Sequence, residues 1–173
     1  MPMNTYVALL RAVNVGGTGK LPMADLRQLC EASGFSEVRT YIASGNVVLQ
    51  SERSAQQVKT TLEAALAVRA GKPVAVLVRT AGEMAAIAQA NPFPDAAPNR
   101  VVAIFLDASP PSDTVAKATH VAGEEIVLGK REIYVHYGSG MADSKLVIPA
   151  ARAGTARNLN TVTRLAQMAS GNR

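Results

Sequence analysis

The feature that most constrains this chain is the order of its hydrophobic periods between Tyr6 and Val78. Tyr6 to Leu10 is a short apolar run that ends at Arg11, the pattern of a buried strand. Leu26, Leu29 and Cys30 then recur at helical spacing, with Pro22 suited to the first turn and Gly34 to the stop. Val38, Thr40 and Ile42 alternate with Arg39, Tyr41 and Ala43. Ser44-Gly45-Asn46 is a turn signal, and Val47 to Leu49 follows as the second arm of a hairpin. Ser54 opens a helix with Val58, Leu62 and Leu66 on one face. Val74 to Val78 closes the series as a strand. Strand, helix, strand, strand, helix, strand is the split βαβ, or ferredoxin-like, arrangement.

The second half reads less regularly. A short helix is expected over Gly82 to Ala90, and the three prolines of NPFPDAAPN, residues 91–99, mark a boundary. Val101 to Leu106 is a buried strand. Ser109-Pro-Pro-Ser112 suggests a helix to about Thr119. Glu125 to Leu128 and Glu132 to Tyr137 form a hairpin around Gly129-Lys130. Leu146 to Ala151 is expected to be helical, against the presence of Pro149. A last helix turns Leu159, Val162, Leu165, Ala166 and Ala169 inward. The expected organisation is a ferredoxin-like unit over 1–80, a connecting helix and Pro-rich linker over 81–99, and a smaller α+β unit with a basic C-terminal helix over 100–173.

Charge is unevenly placed. Residues 1–143 hold 13 basic and 13 acidic side chains. Residues 144–173 hold Lys145, Arg152, Arg157, Arg164 and Arg173 and no acid, so the whole net charge of +5 is C-terminal. This suits an anion-binding surface or simply a solvated basic helix. One cysteine excludes an intrachain disulfide, and the two histidines lack neighbours at metal-ligand spacing, so no metal site is expected. The N-terminus resembles neither a signal peptide nor a membrane span, and a soluble cytoplasmic protein is expected.

NVGGTGKLPM, residues 14–23, resembles a phosphate loop, but the spacing fails. A Walker loop needs Ser or Thr after Gly19-Lys20, and Leu21 stands there. Asn14 occupies the place of its first glycine. The dinucleotide spacing fails as well, because Pro22 falls where the third glycine should be. No nucleotide cofactor is therefore called for. A glycine-rich anion nest remains open, beside the plain alternative of a strand-to-helix connection. TARNLNT, residues 155–161, combines a helix start, with Thr155 or Asn158 as cap, and Arg157, which could fork onto a phosphate or carboxylate. Ser144 and Lys145 adjoin, yet sequence neighbours usually point apart, which disfavours a Ser–Lys nucleophile. Cys30 is expected to be a buried structural thiol. The few aromatics lie in strand-like runs and suit a core better than a base-stacking platform.

LLRAVNVGG, TYIASGNVV, NPFP, SKL and TARNLNT, in order and nearly over the full length, resemble the bacterial domain-of-unknown-function family 1697. The resemblance implies an α+β fold with a ferredoxin-like first half packed on a smaller second half, and it implies no activity. Its polar signatures fall on Arg11, Asn14, Gly16, Gly17, Lys20, Ser44, Gly45, Asn46, Ser144, Lys145, Arg157, Asn158, Asn160 and Thr161. Leu159 departs from the tryptophan usual between the two asparagines. Arg11, Asn14, Gly16, Gly17, Lys20, Ser44, Asn46, Lys145, Arg157, Asn158 and Asn160 are thus the candidate ligand-binding residues. The expected ligand is a small phosphorylated or anionic molecule between the two halves. The alternatives are nucleic acid on the basic C-terminal segment, or a partner-binding domain without ligand. No catalytic residue and no oligomeric state is legible.

Overall fold

The computed structural model describes residues 3–11, 21–42, 45–138 and 141–171. It is an α+β protein, and the described residues form two four-stranded antiparallel sheets and four α-helices. The chain divides into two units. One comprises Met1–Ala86 with Arg164–Arg173, the other Ile87–Thr163.

In the first unit the strands are β1 (Asn4–Leu10), β2 (Ser36–Thr40), β3 (Asn46–Ser51) and β4 (Val76–Thr80). The helices are α1 (Met23–Ala32) and α2 (Ala55–Ala70). The sheet order is β2-β3-β1-β4, the ferredoxin-like arrangement the periods imply. β1 is central, with Leu9 opposite Asn46 on one side and Leu77 on the other. Tyr6, Ala8 and Leu10 join Val47, Leu49, Val76 and Val78 in a core with Leu26 and Cys30 of α1 and Val58, Leu62 and Leu66 of α2. The opposite face is buried too, through Val7, Leu9, Val48 and Leu77. That explains why β1 is a continuous apolar run and not an alternating one.

Local chemistry fixes the ends of α2. The Gln57 N–H donates to Ser54 Oγ at 3.2 Å, and the Ser54 N–H donates to Gln57 Oε1 at 2.9 Å, a complete capping box. Gly71 closes the helix at φ +72, where a side chain would be strained. The outer edge of β4 is covered by side chains. Lys59 Nζ donates to the Val76 carbonyl at 2.6 Å and the Val76 N–H donates to Glu63 Oε2 at 3.0 Å. Arg79 Nη1 donates to the Val78 carbonyl, and the Thr80 N–H to Glu83 Oε1.

In the second unit the strands are β5 (Val101–Phe105), β6 (Glu125–Leu128), β7 (Glu132–His136) and β8 (Thr155–Asn158), in the order β6-β7-β5-β8. Val102, Ile104, Leu106, Ile133, Val135 and Ile148 form its core. Gly154 makes the β5–β8 pairing possible, because a Cβ there would lie 2.5 Å from the Phe105 carbonyl oxygen. Helix α3 (Ala81–Gln89) crosses the boundary at Ala86, and helix α4 (Leu159–Ala169) crosses it at Thr163.

Several expectations are corrected. Residues 112–117 form turns and no assigned helix, although the Lys117 N–H reaches the Asp113 carbonyl. Only Val115, Ala116 and Ala118 could have formed an apolar stripe, and Val115 is exposed. Leu146–Ala151 is not helical throughout. Val147 pairs with Thr119 in an isolated bridge, and Pro149–Ala153 is a 3-10 turn. Pro149 lacks the N–H an α-helix interior needs. Residues 155–158 are strand β8, and α4 starts at Leu159 with Asn158, not Thr155, as its cap. The two units divide after Ala86 and after Thr163. The Phe93 N–H bonds Asn91 Oδ1, the Ala96 N–H the Phe93 carbonyl and the Arg100 N–H the Ala97 carbonyl, which ties the Pro-rich segment to itself. The chain's last residues return to the first unit, where Arg39 Nη2 donates to the Met168 carbonyl at 2.7 Å near the C-terminal end of α4. A cation is favoured there by the helix dipole.

Replacing Ser54 by alanine removes the capping box while leaving the core untouched. We predict a loss of about 1 kcal/mol in urea unfolding with an unchanged m-value.

Candidate functional site

Five of the candidate residues, Asn14, Gly16, Gly17, Lys20 and Ser44, lie outside the described residues. The others fall into two groups, one in each unit.

In the first unit, Arg11 and Asn46 come together at one end of the sheet. The Leu10 N–H donates to the Gly45 carbonyl and the Arg11 N–H to the Ala75 carbonyl, both at 2.9 Å. The end of β1 is therefore stitched to the starts of β3 and β4. Arg11 is exposed there. Asn46 is fully buried, and its Nδ2 donates to the Tyr41 carbonyl at 2.9 Å while the Tyr41 N–H donates to the Asn46 carbonyl. Asn46 thus braces the hairpin. Beside that brace Ile42 is 51% exposed and held at φ +50. A β-branched residue pays for that conformation, and such strain gathers at functional turns.

In the second unit, Arg157 is buried on β8, opposite Ala103 of β5. Its Nη1 donates to Thr155 Oγ1 at 2.7 Å and to the Ala156 carbonyl at 2.9 Å. Burial alone pulls the guanidinium down to about 10. It is a strand residue, not the exposed helix-start arginine that TARNLNT suggests. Asn158 is the cap of α4, its Oδ1 accepting the Thr161 N–H at 3.0 Å. Asn160 and Lys145 are exposed. Leu159 is 2% exposed, so the position where the family usually has tryptophan is a core position in this chain. Of the C-terminal cations, Lys145 and Arg152 are exposed, Arg164 is half-buried, Arg157 is buried and Arg173 lies outside the described residues.

Ser144 does not engage its neighbour Lys145 in a nucleophile pair. Its hydroxyl donates to Glu124 Oε2 in a short hydrogen bond. That bond, with one from the Ala122 N–H, holds the Glu124 carboxyl below its ordinary range. Asp25 is committed to Arg69, 3.0 Å away, joining α1 to α2. Among the described residues no group of three His, Cys, Asp or Glu side chains is placed to hold a metal ion. None of the described helices is long and apolar enough to cross a membrane.

Two features went unread in the sequence. Arg79 is 1% exposed on β4, in one cross-strand row with Val7, Val48 and Arg39. Its signal was a charge inside the apolar strand VLVRT. An open groove of about 390 Å³ is lined by Met23, Ala24, Arg27, Gln28, Glu31 and Thr40. Its Arg27–Glu31 pair, 3.7 Å apart and exposed on both sides, is a weak interaction.

Cys30 is fully buried on α1, and burial first, then Glu31, pushes its thiol up to about 12. The folded value lies above the unfolded one, so this thiol's contribution to stability is complete below pH 9 and is lost as pH rises toward 12. We predict that Cys30 resists a disulfide thiol reagent in the native protein and reacts fully in denaturant. Cys30→Ala should flatten the alkaline fall in stability between pH 9 and 12.

A family model described as "Protein of unknown function (DUF1697)" matches residues 3–134. No curated protein matches the sequence. A solved structure, conserved bacterial protein SP0830 from Streptococcus pneumoniae, superposes with a TM-score of 0.79. It is 27% identical, and the match covers 97% of this chain and 99% of that one. With most of its length matched by the family model and its whole architecture shared with that structure, this chain belongs to the DUF1697 family of proteins of unknown function.

Proposed function

We propose that the protein binds a small anionic ligand, a phosphorylated metabolite or nucleotide, at the end of the first unit's sheet. The observation that carries this reading is the exposed Arg11. Its backbone is pinned to Ala75, just before β4, at 2.9 Å, beside a hairpin that Asn46 braces and in which Ile42 is strained. A cation on a rigid strand end is pre-organised for an anion, and loops on a rigid scaffold are where binding residues gather. In this reading Asn46 positions the hairpin and does not touch the ligand. In the second unit, Asn158 and Arg157 hold the β8–α4 junction.

Thermal unfolding in the presence of inorganic phosphate, nucleotides and sugar phosphates tests the reading. A ligand at about 100 times its Kd should stabilise the protein by about 2.7 kcal/mol. That moves the midpoint of a chain this long by roughly 2–4 °C per kcal/mol. Arg11→Ala should abolish the shift and leave the unliganded stability within about 0.5 kcal/mol of the parent's. A shift retained in Arg11→Ala contradicts the site. Shifts given only by nucleic acid and erased by salt would favour the basic C-terminal segment instead.

A further inference from the structure

An edge strand offers unpaired N–H and C=O groups to any other chain, and proteins usually blunt such edges. This fold has four, β2, β4, β6 and β8. Three carry a blocking device. On β4 the outward groups of Val76, Val78 and Thr80 are taken by Lys59, Glu63, Arg79 and Glu83. On β8 the carbonyl of Ala156 is taken by Arg157. On β2 the pairing is irregular between Ser36 and Arg39, and Glu37 has φ +48.

On β6, a short strand of four residues, no side chain or bulge among the described residues covers the outward backbone groups. The Gly129 N–H donates to the Glu132 carbonyl at 2.7 Å, which sets the phase of the β6–β7 ladder. Glu125 and Val127 then bond inward to His136 and Tyr134. The N–H and C=O groups of Ile126 and Leu128 point outward. Among the described residues none of them finds a partner in the chain. Val127 is 40% exposed, and Ile126 and Leu128 are only half-buried.

The sequence around this edge is charge-complementary to itself when reversed. Residues 124–131 read EEIVLGKR, acidic at the start and basic at the end. Antiparallel pairing of two copies about a two-fold axis through Val127 places Ile126 opposite the partner's Leu128. Both have outward groups, so the ladder closes in phase. That pairing brings Glu124, the residue just before β6, to the end of the partner strand that turns at Lys130, twice. Opposite charges at those two ends favour the pairing, and like charges oppose it.

We propose that β6 is a homodimerisation strand. Two copies of this chain pair antiparallel through Ile126 and Leu128, with Glu124 beside the partner's Lys130, and their second sheets join into one of eight strands.

Sedimentation velocity of the full chain over a concentration series tests this, with far-UV circular dichroism confirming that each variant folds. The parent should show a concentration-dependent dimer. Ile126→Pro removes an outward N–H and leaves the β6–β7 ladder intact, so it should sediment as a monomer. E124K and K130E should each weaken the dimer, since each puts like charges beside one another. Mixing those two variants should restore it, because each of the two contacts then joins a lysine to a glutamate. A parent that stays monomeric at every concentration overturns the proposal. So does a dimer that Ile126→Pro and both charge variants leave unchanged.

Discussion

The first unit depends on burying β1 on both faces. Tyr6, Ala8 and Leu10 meet the two helices, and Val7 and Leu9 are equally withdrawn from water on the other side. Val7, Leu9 and Leu10 each contribute on the order of 1.5–3 kcal/mol when fully buried. β3 and β4 flank β1 and satisfy its backbone on both sides. A strand held this way cannot fray easily. Its last residue, Leu10, and the next, Arg11, are therefore fixed by hydrogen bonds to Gly45 and Ala75. The proposed binding end of the sheet inherits its rigidity from that central strand.

β5 plays the same part in the second unit. It lies between β7 and β8, with all five residues buried. Gly154 lets β8 approach it, and the buried Arg157 secures β8 through Thr155 and Ala156. A guanidinium brought into a low-dielectric setting loses hydration, which is why its proton affinity falls. The bonds it donates offset part of that loss. The same residue covers a backbone carbonyl on the sheet edge, so one side chain serves both packing and edge protection.

The first half was legible because its elements are long and their periods clean. Val58, Leu62 and Leu66 are spaced for one helical face, and they are the buried residues of α2. Leu159, Val162, Leu165, Ala166 and Ala169 likewise point inward as spaced. Short elements carry no such signal. TARN has four residues and no alternation of apolar and polar types, so β8 looked like the start of the helix that follows it. Ser109-Pro-Pro-Ser112 has the chemistry of a helix start with no apolar stripe behind it, and the chain there settles for turns. At the candidate site, Arg11 could be read as exposed from its place at a strand end. The brace made by Asn46 depends on a hydrogen bond across a hairpin, which no spacing announces. The burial of Arg157 depends on the pairing of β8 with β5, which brings together residues about 50 apart in sequence.

Amide hydrogen exchange followed by NMR or mass spectrometry tests most directly whether β1 is the element on which the first unit rests. The amides of Tyr6 to Leu10 should be among the slowest in that unit, exchanging only with global unfolding, while those of the edge strand β2 open at lower cost. Protection should continue into Leu10 and Arg11, whose N–H groups bond Gly45 and Ala75. Exchange at Tyr6 to Arg11 as fast as in β2 would contradict both the central role of β1 and the rigidity of the proposed binding end.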